Sequence, residues 1–360
     1  MYARLAARIS ERTAIPTTER DIERILAAIP SAPDLWAVVD RAKCPFNQVV
    51  ETVRLLAEEG LAEVGETSVT LTERGQALAA ERNAVPPPRC RCTACAGRGV
   101  VTAQLTEARL RFEALVRERP RPIAVYDQAY VTIDTVFARL AFFADRGDLA
   151  GRDLLVLGDD DLVGLAAALT GLPRRVVVLE IDERLNEFMR AAASAAGVPL
   201  TVETVDLRLP LPPSITRSFD TFFTDPPDTL AGLELFIGRG LEGLRGPGCA
   251  GYFGATVIEA SFRTWRALQA RLVSSYRVAI TDLVRDFSTY ENWDYLVGSV
   301  RDDLPPLRHP PAGHWYRSAL YRLETFEDSV LEAAAVDEAT LYVGTESLLH
   351  TRSKQDVAGP

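Results

Sequence analysis

Hydrophobic strand-like runs alternate with helical segments from residue 106 to about residue 345. This alternation predicts an α/β fold with a doubly wound, Rossmann-like parallel sheet, in which helices follow the strands. The predicted strands lie at 153–158, 175–182, 200–206, 219–225 and 248–256, and further strand-like segments follow at 277–293 and 318–326. A helix over about 133–146, capped by Thr132, is expected to precede the first strand.

The N-terminal part shows a different pattern, in which three short helical segments are followed by an alternating ribbon. Thr18 is placed to cap the first helix, Pro33 restarts the chain into the second, and Pro45 opens the third. This order resembles a winged helix-turn-helix and predicts a winged-helix-like domain over residues 1–83. The third helix offers Arg54 against three glutamates, which favours a structural or dimerisation role over DNA binding.

A Pro-rich segment over residues 84–105 predicts a linker, and it carries three of the five cysteines. Its Cys92-Thr-Ala-Cys95-Ala-Gly-Arg-Gly run is a knuckle in which backbone N–H groups turn toward the sulfurs. Cys90, Cys92 and Cys95 are therefore candidate ligands of a structural zinc or iron ion, completed by another cysteine or by a second subunit. The alternative is a set of reduced thiols that bind no metal.

The composition is that of an ordinary globular protein, with 47% hydrophobic and 25% charged residues among 360. No uncharged apolar stretch approaches the roughly 20 residues that cross a bilayer, and the N-terminus has no signal-peptide pattern, so a cytoplasmic location is expected. The formal net charge of −10 suits a small cationic substrate and argues against broad nucleic-acid binding. The C-terminal domain is expected to span 106–345, followed by a flexible tail over 346–360.

Four predicted strands end in acidic residues. These residues are the Gly158-Asp159-Asp160-Asp161 turn, Glu180 with Asp182, Asp206, and Asp225 with Asp228 around two prolines. Because ligands of a doubly wound sheet bind outside the carboxyl ends of the strands, the acidic groups should converge on one crevice. Glu180 is the first choice for binding a ribose diol, and Asp182 is the second. The alternative for any single carboxylate is a helix cap.

The turn after the first strand also indicates which nucleotide is bound. It lacks the G-x-G-x-x-G pattern, and its three aspartates would repel the pyrophosphate of a dinucleotide, so a nicotinamide dehydrogenase is disfavoured. S-adenosylmethionine presents a carboxylate near such a turn, whereas its decarboxylated form presents only an ammonium-bearing aminopropyl arm. The aspartates therefore favour aminopropyl transfer, with methyl transfer as the neighbouring alternative.

Four segments give the sequence a resemblance to the branched-chain polyamine synthases, or N4-bis(aminopropyl)spermidine synthases. They lie at 126–149, 154–185, 219–229 and 286–293, and they include the Gly-Asp-Asp-Asp turn and the Asp-Pro-Pro run. The resemblance implies a fold like that of class I methyltransferases, an N-terminal winged-helix-like domain and a homodimer. It also implies aminopropyl transfer from decarboxylated S-adenosylmethionine to the central secondary amine of spermidine. The implied products are a tertiary amine, then a quaternary ammonium, and methylthioadenosine.

Site roles follow from the resemblance at the matching positions. Asp159 is expected to be the catalytic carboxylate nearest the attacking nitrogen, because clustered aspartates raise one another's pKa and make better proton acceptors. Asp160 and Asp161 are expected to orient the aminopropyl arm or to cap the helix. Glu180 is expected to hold the ribose, and Asp206 to reach the adenine amino group.

The remaining candidates are acidic and aromatic residues for the polyamine. Asp225 and Asp228 are expected to grip its ammonium groups, and Gln128 to hydrogen-bond the donor. Tyr126 is assigned either to the polyamine or to the core. Tyr290 and Trp293, spaced three apart, are assigned either to core packing or to an aromatic lid over the polyamine.

Two other functions remain open from the sequence. The first is an S-adenosylmethionine-dependent amine or nucleobase methyltransferase, because an Asp-Pro-Pro run also resembles the motif of amine-methylating enzymes. The second is a ligand-sensing regulator in which a winged helix is fused to an inactive nucleotide-binding fold.

Overall fold

The computed structural model of the protein describes residues 1–86, 90–300, 304–333 and 341–348. The N-terminal elements are α1 (Tyr2–Thr13), α2 (Glu19–Ala28), α3 (Leu35–Ala42), α4 (Phe46–Glu58), β1 (Ala62–Val64), β2 (Val69–Leu71) and α5 (Glu73–Glu81). The three predicted helices and the ribbon correspond to α2, α3, α4 and the antiparallel pair β1–β2. The sequence analysis does not predict α1. The identification of this part as a winged helix and the expected homodimer stay predictions.

Arginines of α1 neutralise the acidic side chains of α4. Arg12 contacts Glu51 at 2.6 Å and Glu58 at 2.9 Å, and Arg8 contacts Glu59 at 2.5 Å. In a DNA-binding domain, the third of the predicted helices would instead present basic side chains to phosphate groups. The ion pairs with α1 therefore agree with the structural role expected for α4.

The cysteine segment packs against the C-terminal domain, and among the described residues its thiols are not arranged as a metal site. The Arg98 Nε atom donates to the carbonyl oxygen of Phe287 at 2.8 Å. Cys90 and Cys92 are exposed and Cys95 is half-buried. Backbone hydrogen bonds from Gly99 and Gly97, and next the Cys92 thiol, lower the pKa of Cys95. However, the described residues contain no group of three or more Cys, His, Asp or Glu side chains arranged to hold a metal ion.

The C-terminal domain is built on a seven-stranded sheet with the order β5-β4-β3-β6-β7-β9-β8. Its elements are α6 (Thr106–Leu115), α7 (Ile133–Asp145), β3 (Asp153–Leu157), α8 (Val163–Thr170), β4 (Arg175–Glu180), α9 (Glu183–Ala196), β5 (Thr201–Thr204), β6 (Thr221–Thr224), α10 (Leu230–Gly243), β7 (Ala250–Ala255), α11 (Phe262–Ser274), β8 (Ala279–Thr289), α12 (Leu296–Ser299) and β9 (Arg317–Glu324). Strands β3 to β7 pair in parallel, as predicted.

The predicted parallel sheet is extended at one edge by antiparallel strands. Strand β9 lies antiparallel between β7 and β8. A parallel return requires a crossover connection, usually a helix packed on the sheet, whereas an antiparallel return does not. The described part of the connection from β8 to β9 contains only the four-residue α12 and a short 3-10 turn, so β9 returns antiparallel.

Two hydrophobic cores cover the two faces of the sheet, and they fix where its open crevice lies. Side chains of β3 alternate between the two cores, with Leu154 and Val156 in one and Leu155 and Leu157 in the other. The chain runs from β3 outward to β4 and β5, and then returns to β6 on the other side of β3. The carboxyl ends of β3 and β6 therefore flank a topological switch point, where ligands bind in sheets of this type.

The structure shifts the predicted start of the C-terminal tail. Glu346 accepts hydrogen bonds from the hydroxyls of Ser261 (2.7 Å) and Thr264 (3.1 Å) at the start of α11, and the Leu348 side chain is buried. Residues 346–348 therefore belong to the folded domain, and the rest of the expected tail lies outside the described residues. None of the described helices combines the length and hydrophobicity needed to cross a membrane.

Candidate active site

A cleft opens at the carboxyl ends of the parallel strands. Its carboxylates are Asp127, Asp160, Glu180, Asp206, Asp225, Asp228 and Glu259. Its larger aromatic side chains are Tyr126, Phe236, Tyr290, Trp293, Tyr295, Tyr316 and Tyr342. The predicted convergence of the acidic strand ends on one crevice is therefore observed.

Three of the residues predicted for catalysis or donor binding do not line this cleft. Asp159 accepts hydrogen bonds from the backbone N–H groups of Val163 (2.6 Å) and Gly164 (2.8 Å), so it caps α8. Burial raises its pKa to about 7. Because both oxygens are held by the helix and the residue is 1% exposed, this placement argues against the catalytic role expected for Asp159. The other two residues are Asp161 and Asp182.

Asp160 is the aspartate of the turn that faces the cleft. One of its oxygens accepts a hydrogen bond from the backbone N–H of Ala129 at 3.0 Å. Burial, together with the nearby charges of Asp161, Glu180 and Asp225, raises its pKa well above the usual range. A carboxylate in such surroundings binds a proton readily, and it also favours a cationic ligand beside it.

Asp161 points away from the cleft into a buried ion pair. It accepts a hydrogen bond from the backbone N–H of Val131 at 2.7 Å and contacts the Arg139 guanidinium at 2.6 Å. Neither oxygen is therefore directed to a ligand in the cleft, which does not match the expected role in orienting the donor.

Of the two acidic residues at the end of β4, one lines the cleft and the other caps a helix. Glu180 lines the cleft, and its oxygens accept hydrogen bonds from the backbone N–H groups of Asp159 at 2.7 Å and Ile181 at 2.8 Å. Burial still raises the pKa of Glu180. Asp182 instead caps α9 and contacts Arg184 at 2.5 Å. The first choice for ribose binding therefore reaches the cleft, and the second does not.

The other predicted donor residues, Gly158, Gln128 and Asp206, also line the cleft. The Gln128 amide nitrogen donates to Asp182 at 2.9 Å, and its oxygen accepts from the backbone N–H of Ile123 at 3.0 Å. Both ends of the Gln128 amide are therefore held by the protein. The neighbouring Arg208 contacts Asp206 at 2.5 Å and lowers the pKa of that carboxyl.

Asp225 after β6 is anchored by two donors. Its Oδ2 atom accepts from the Arg139 guanidinium at 2.5 Å and from the Tyr290 hydroxyl at 2.6 Å. A Cβ atom at Gly254 of β7 would lie 1.8 Å from Asp225 Oδ1, so only glycine leaves room for this carboxylate. Tyr290 and Asp225 therefore both reach the cleft, as predicted, and Tyr290 bonds directly to the acid.

Asp228 belongs to a second acidic group at the other side of the two prolines. Its carboxylate accepts from the backbone N–H of Thr256 at 2.8 Å. The Tyr316 hydroxyl donates to Glu259 at 2.6 Å and lies 3.4 Å from Asp228. Burial, and next the charge of Asp127, raises the pKa of Glu259 to about 7.

Sequence reasoning missed Glu259 and Tyr316. Glu259 follows the fifth parallel strand, at the same edge of the sheet as the other acidic strand ends, but the prediction includes only the acidic residues after the first four strands. The next helix, α11, begins at Phe262. The signal that could have identified Glu259 is its place after the fifth parallel strand. Tyr316 directly precedes β9, and it reaches the cleft because β9 lies antiparallel beside β7, which was not predicted.

Trp293 lines the cleft beside Tyr316, with 5.4 Å between the ring centroids. Its indole Nε1 has no hydrogen-bond partner among the described residues and is shielded from solvent. Tyr126 lines the cleft as well. The two aromatic residues are therefore placed to contact a ligand.

Comparisons with known proteins agree along most of the chain. A family model for the branched-chain polyamine synthase A C-terminal domain matches residues 107–348. The N(4)-bis(aminopropyl)spermidine synthase of Thermococcus kodakarensis is 42% identical over 323 residues, which cover 89% of this chain and 92% of the relative. The enzyme of that name from Thermus thermophilus is 44% identical over 334 residues, with 92% and 95% covered.

A solved structure is similar over nearly the whole chain. It is the branched-chain polyamine synthase from Thermus thermophilus in complex with N4-aminopropylspermidine and 5′-methylthioadenosine. The TM-score is 0.88 at 42% identity, and the match covers 96% of this chain and 98% of the other. The similarity therefore includes the N-terminal helices as well as the sheet and its cleft.

Proposed function

Because the chain belongs to the branched-chain polyamine synthase family and is a transferase, we propose that it moves aminopropyl groups from decarboxylated S-adenosylmethionine to the central secondary amine of spermidine. The proposed products are N4-aminopropylspermidine, then N4-bis(aminopropyl)spermidine, and methylthioadenosine. The observation that carries this proposal is the cleft at the switch point, which carboxylates and aromatic rings line together. Such walls bind organic cations through charge-assisted hydrogen bonds and cation–π contacts.

The donor is assigned to the side of the cleft formed by β3, β4 and β5. Glu180 stands at the end of β4, where an acidic residue accepts hydrogen bonds from a ribose diol. Asp206 follows β5 and is proposed to reach the adenine amino group. Gln128 is proposed to hydrogen-bond the donor, although its amide already has two protein partners.

The charges of the cleft favour the decarboxylated donor over S-adenosylmethionine. Arg208 is the single lysine or arginine among the described residues that line the cleft, and it pairs with Asp206. A donor carboxylate near the β3 turn would face Asp160 at close range, and like charges in a partly buried site repel strongly. An ammonium group at the same position would be attracted instead.

The polyamine is assigned to the side of the cleft formed by Asp225, Asp228 and Glu259. Asp228 and Glu259 meet at the Tyr316 hydroxyl, and Asp225 lies on the other side of the two prolines, so the cleft offers two acidic positions to the ammonium groups of a polyamine. Trp293 and Tyr316 supply aromatic faces between them. This group of residues therefore offers both charge and apolar surface to an aliphatic polycation.

The transfer is a displacement at the methylene carbon bonded to the sulfonium. The lone pair of the acceptor nitrogen forms the new C–N bond, and the C–S electron pair returns to sulfur to give neutral methylthioadenosine. An aliphatic amine resembles a lysine side chain, with a pKa near 10, so it binds protonated and must lose a proton before attack. We assign the acceptance of that proton to Asp160, because its pKa is raised and it faces the cleft.

Mass spectrometry of reaction mixtures tests this proposal. Spermidine is incubated with the enzyme and either decarboxylated S-adenosylmethionine or S-adenosylmethionine, and 1,4-diaminobutane serves as an acceptor without a secondary amine. We expect one or two aminopropyl units on the central nitrogen of spermidine, together with methylthioadenosine, only with the decarboxylated donor. A methyl gain would support the methyltransferase alternative, and no product with either donor would contradict the proposal.

A further inference from the structure

A single buried guanidinium joins three elements behind the cleft. Arg139 lies on α7 and is fully shielded from solvent. Its Nη1 atom contacts Asp161 after β3 at 2.6 Å, and its Nη2 atom contacts Asp225 after β6 at 2.5 Å. Nη2 also donates to the Ser288 hydroxyl of β8 at 3.0 Å. The two strands that flank the topological switch point are therefore connected through one side chain.

Stability alone is a poor explanation for this arrangement. Burying charges costs several kcal/mol per ion in effective terms, and a buried ion pair is often no more stabilising than hydrophobic residues of the same volume. Burial by itself would lower the pKa of the Arg139 guanidinium, but Asp225 and Asp161 outweigh it and raise that pKa. The guanidinium therefore stays charged inside the protein, where its effect on the two carboxylates is strongest.

The contacts of Asp225 restrict its carboxylate to one orientation. The Arg139 guanidinium and the Tyr290 hydroxyl both bond its Oδ2 atom, while Gly254 packs next to Oδ1. The guanidinium carbon of Arg139 lies over the Phe223 ring, 4.8 Å from the ring centroid. Arg139, which does not line the cleft, thus holds Asp225, which does.

We propose that Arg139 is a positioning residue for aminopropyl transfer and acts through Asp225. This inference rests on the proposed function. During attack, positive charge moves from the sulfonium onto the acceptor nitrogen, and a carboxylate fixed beside that nitrogen stabilises the charge without reorganising. A lysine cannot replace Arg139 here, because a single ammonium lacks the planar fork that reaches two carboxylates at once.

A double-mutant cycle tests the proposal. The variants are Arg139→Gln, Asp225→Asn and the double variant, and kcat and KM are measured for both substrates. We expect each single variant to lower kcat about 10²-fold, because a displaced catalytic group costs that much. The double variant should then be within about threefold of Asp225→Asn, because Arg139 has nothing left to position. Losses that multiply to about 10⁴-fold would overturn the proposal.

Two conservative variants separate positioning from structural support. Arg322 is a matched control, because it is also buried and contacts Asp148 (2.8 Å) and Glu324 (3.0 Å), neither of which lines the cleft. Arg139→Lys should lower kcat about 10²-fold, whereas Arg322→Lys should leave kcat within about twofold. Equal kcat for Arg139→Lys and the wild type would contradict the proposal.

Poor folding of a variant and failure of the proposed function can each be distinguished from failure of the role proposed for Arg139. If Arg139→Gln does not fold, the cycle is carried out with Arg139→Lys. Binding of methylthioadenosine is measured for every variant, and we expect its affinity to stay unchanged, whereas a general loss of structure would weaken it. Absence of product with the wild-type enzyme would refute the proposed function, while multiplying losses in an active enzyme would refute only the role of Arg139.

Discussion

Backbone conformation decides which of three adjacent aspartates reaches the cleft. Gly158 (φ 64°) and Leu162 (φ 61°) are both left-handed, and between them the chain turns so that Asp159 folds over the start of α8 while Asp160 faces the ligand side. A left-handed leucine is unfavourable and is sustained only by the surrounding fold. Residue types and spacing therefore indicate a functional turn, but they do not indicate which of its carboxylates is free of the helix.

Asp159 is expected to contribute to stability as the cap of α8. The substitution Asp159→Asn replaces an oxygen acceptor of one backbone N–H group with a donor, so the free energy of unfolding should fall by roughly 1–2 kcal/mol. Chemical denaturation at pH 8 measures this change. Asp160→Asn is the matched control, because Asp160 accepts one backbone N–H bond from the described part of the chain and its substitution should cost less stability. A larger loss for Asp160→Asn would contradict the assignment of the cap.

Helices and strands with a local hydrophobic pattern were predicted well, whereas the position of a strand that depends on long-range strand pairing was not. The five parallel strands are buried apolar runs bounded by turn residues, so the sequence predicts them within a few residues. The position of β9 between β7 and β8 depends on strand pairing across the molecule, which the hydrophobic periodicity of the sequence does not encode. The cleft wall formed by Leu341, Tyr342 and Leu348 was missed for another reason, because these residues lie outside the predicted strands and helices.

Close packing of β7 against β6 gives a prediction at the level of elements. The substitution Gly254→Ala would place a Cβ atom 1.8 Å from Asp225 Oδ1, so the carboxylate must move. We expect kcat to fall about 10²-fold while the protein still folds. Gly313→Ala is the matched control, because a Cβ at that position meets no atom within 4 Å. Steady-state kinetics and thermal melting of both variants measure the effect, and an active Gly254→Ala enzyme would contradict the geometry of Asp225.

At the scale of the whole molecule, the net charge of the sequence indicates the class of substrate, but the sequence does not show how the charges are distributed. The net charge of −10 predicts a cationic substrate. It does not reveal that acidic groups of the N-terminal part are neutralised by α1, while those of the cleft stay clustered. Clustering has a cost, because burial, and next the charge of Asp127, raises the pKa of the cleft residue Glu259 to about 7.

The raised pKa values predict how stability depends on pH. Between the unfolded pKa of about 4.3 for a glutamate and the folded value of about 7 for Glu259, the folded protein binds more protons than the unfolded chain. The free energy of unfolding therefore falls as the pH rises through this window. We expect the ligand-free enzyme to melt at a lower temperature at pH 8 than at pH 5.5.

Spermidine should reverse part of this dependence, because its ammonium groups favour the ionised carboxylates. The increase in melting temperature on adding spermidine is expected to be larger at pH 8 than at pH 5.5. Glu259→Gln is the control variant, and its ligand-free melting temperature should depend less on pH. A ligand-free enzyme that becomes more stable toward pH 8 would contradict the electrostatic description of the cleft.

Asp160, rather than Asp159, is assigned the proton of the attacking amine. The single-turnover rate of N4-aminopropylspermidine formation from spermidine and decarboxylated S-adenosylmethionine tests this assignment when it is followed by mass spectrometry for the wild type, Asp160→Asn and Asp159→Asn. We expect a loss of about 10²- to 10⁴-fold for Asp160→Asn, as for removal of a general base, and less than about tenfold for Asp159→Asn. A rate for Asp160→Asn close to that of the wild type, or a larger loss for Asp159→Asn, would refute the assignment.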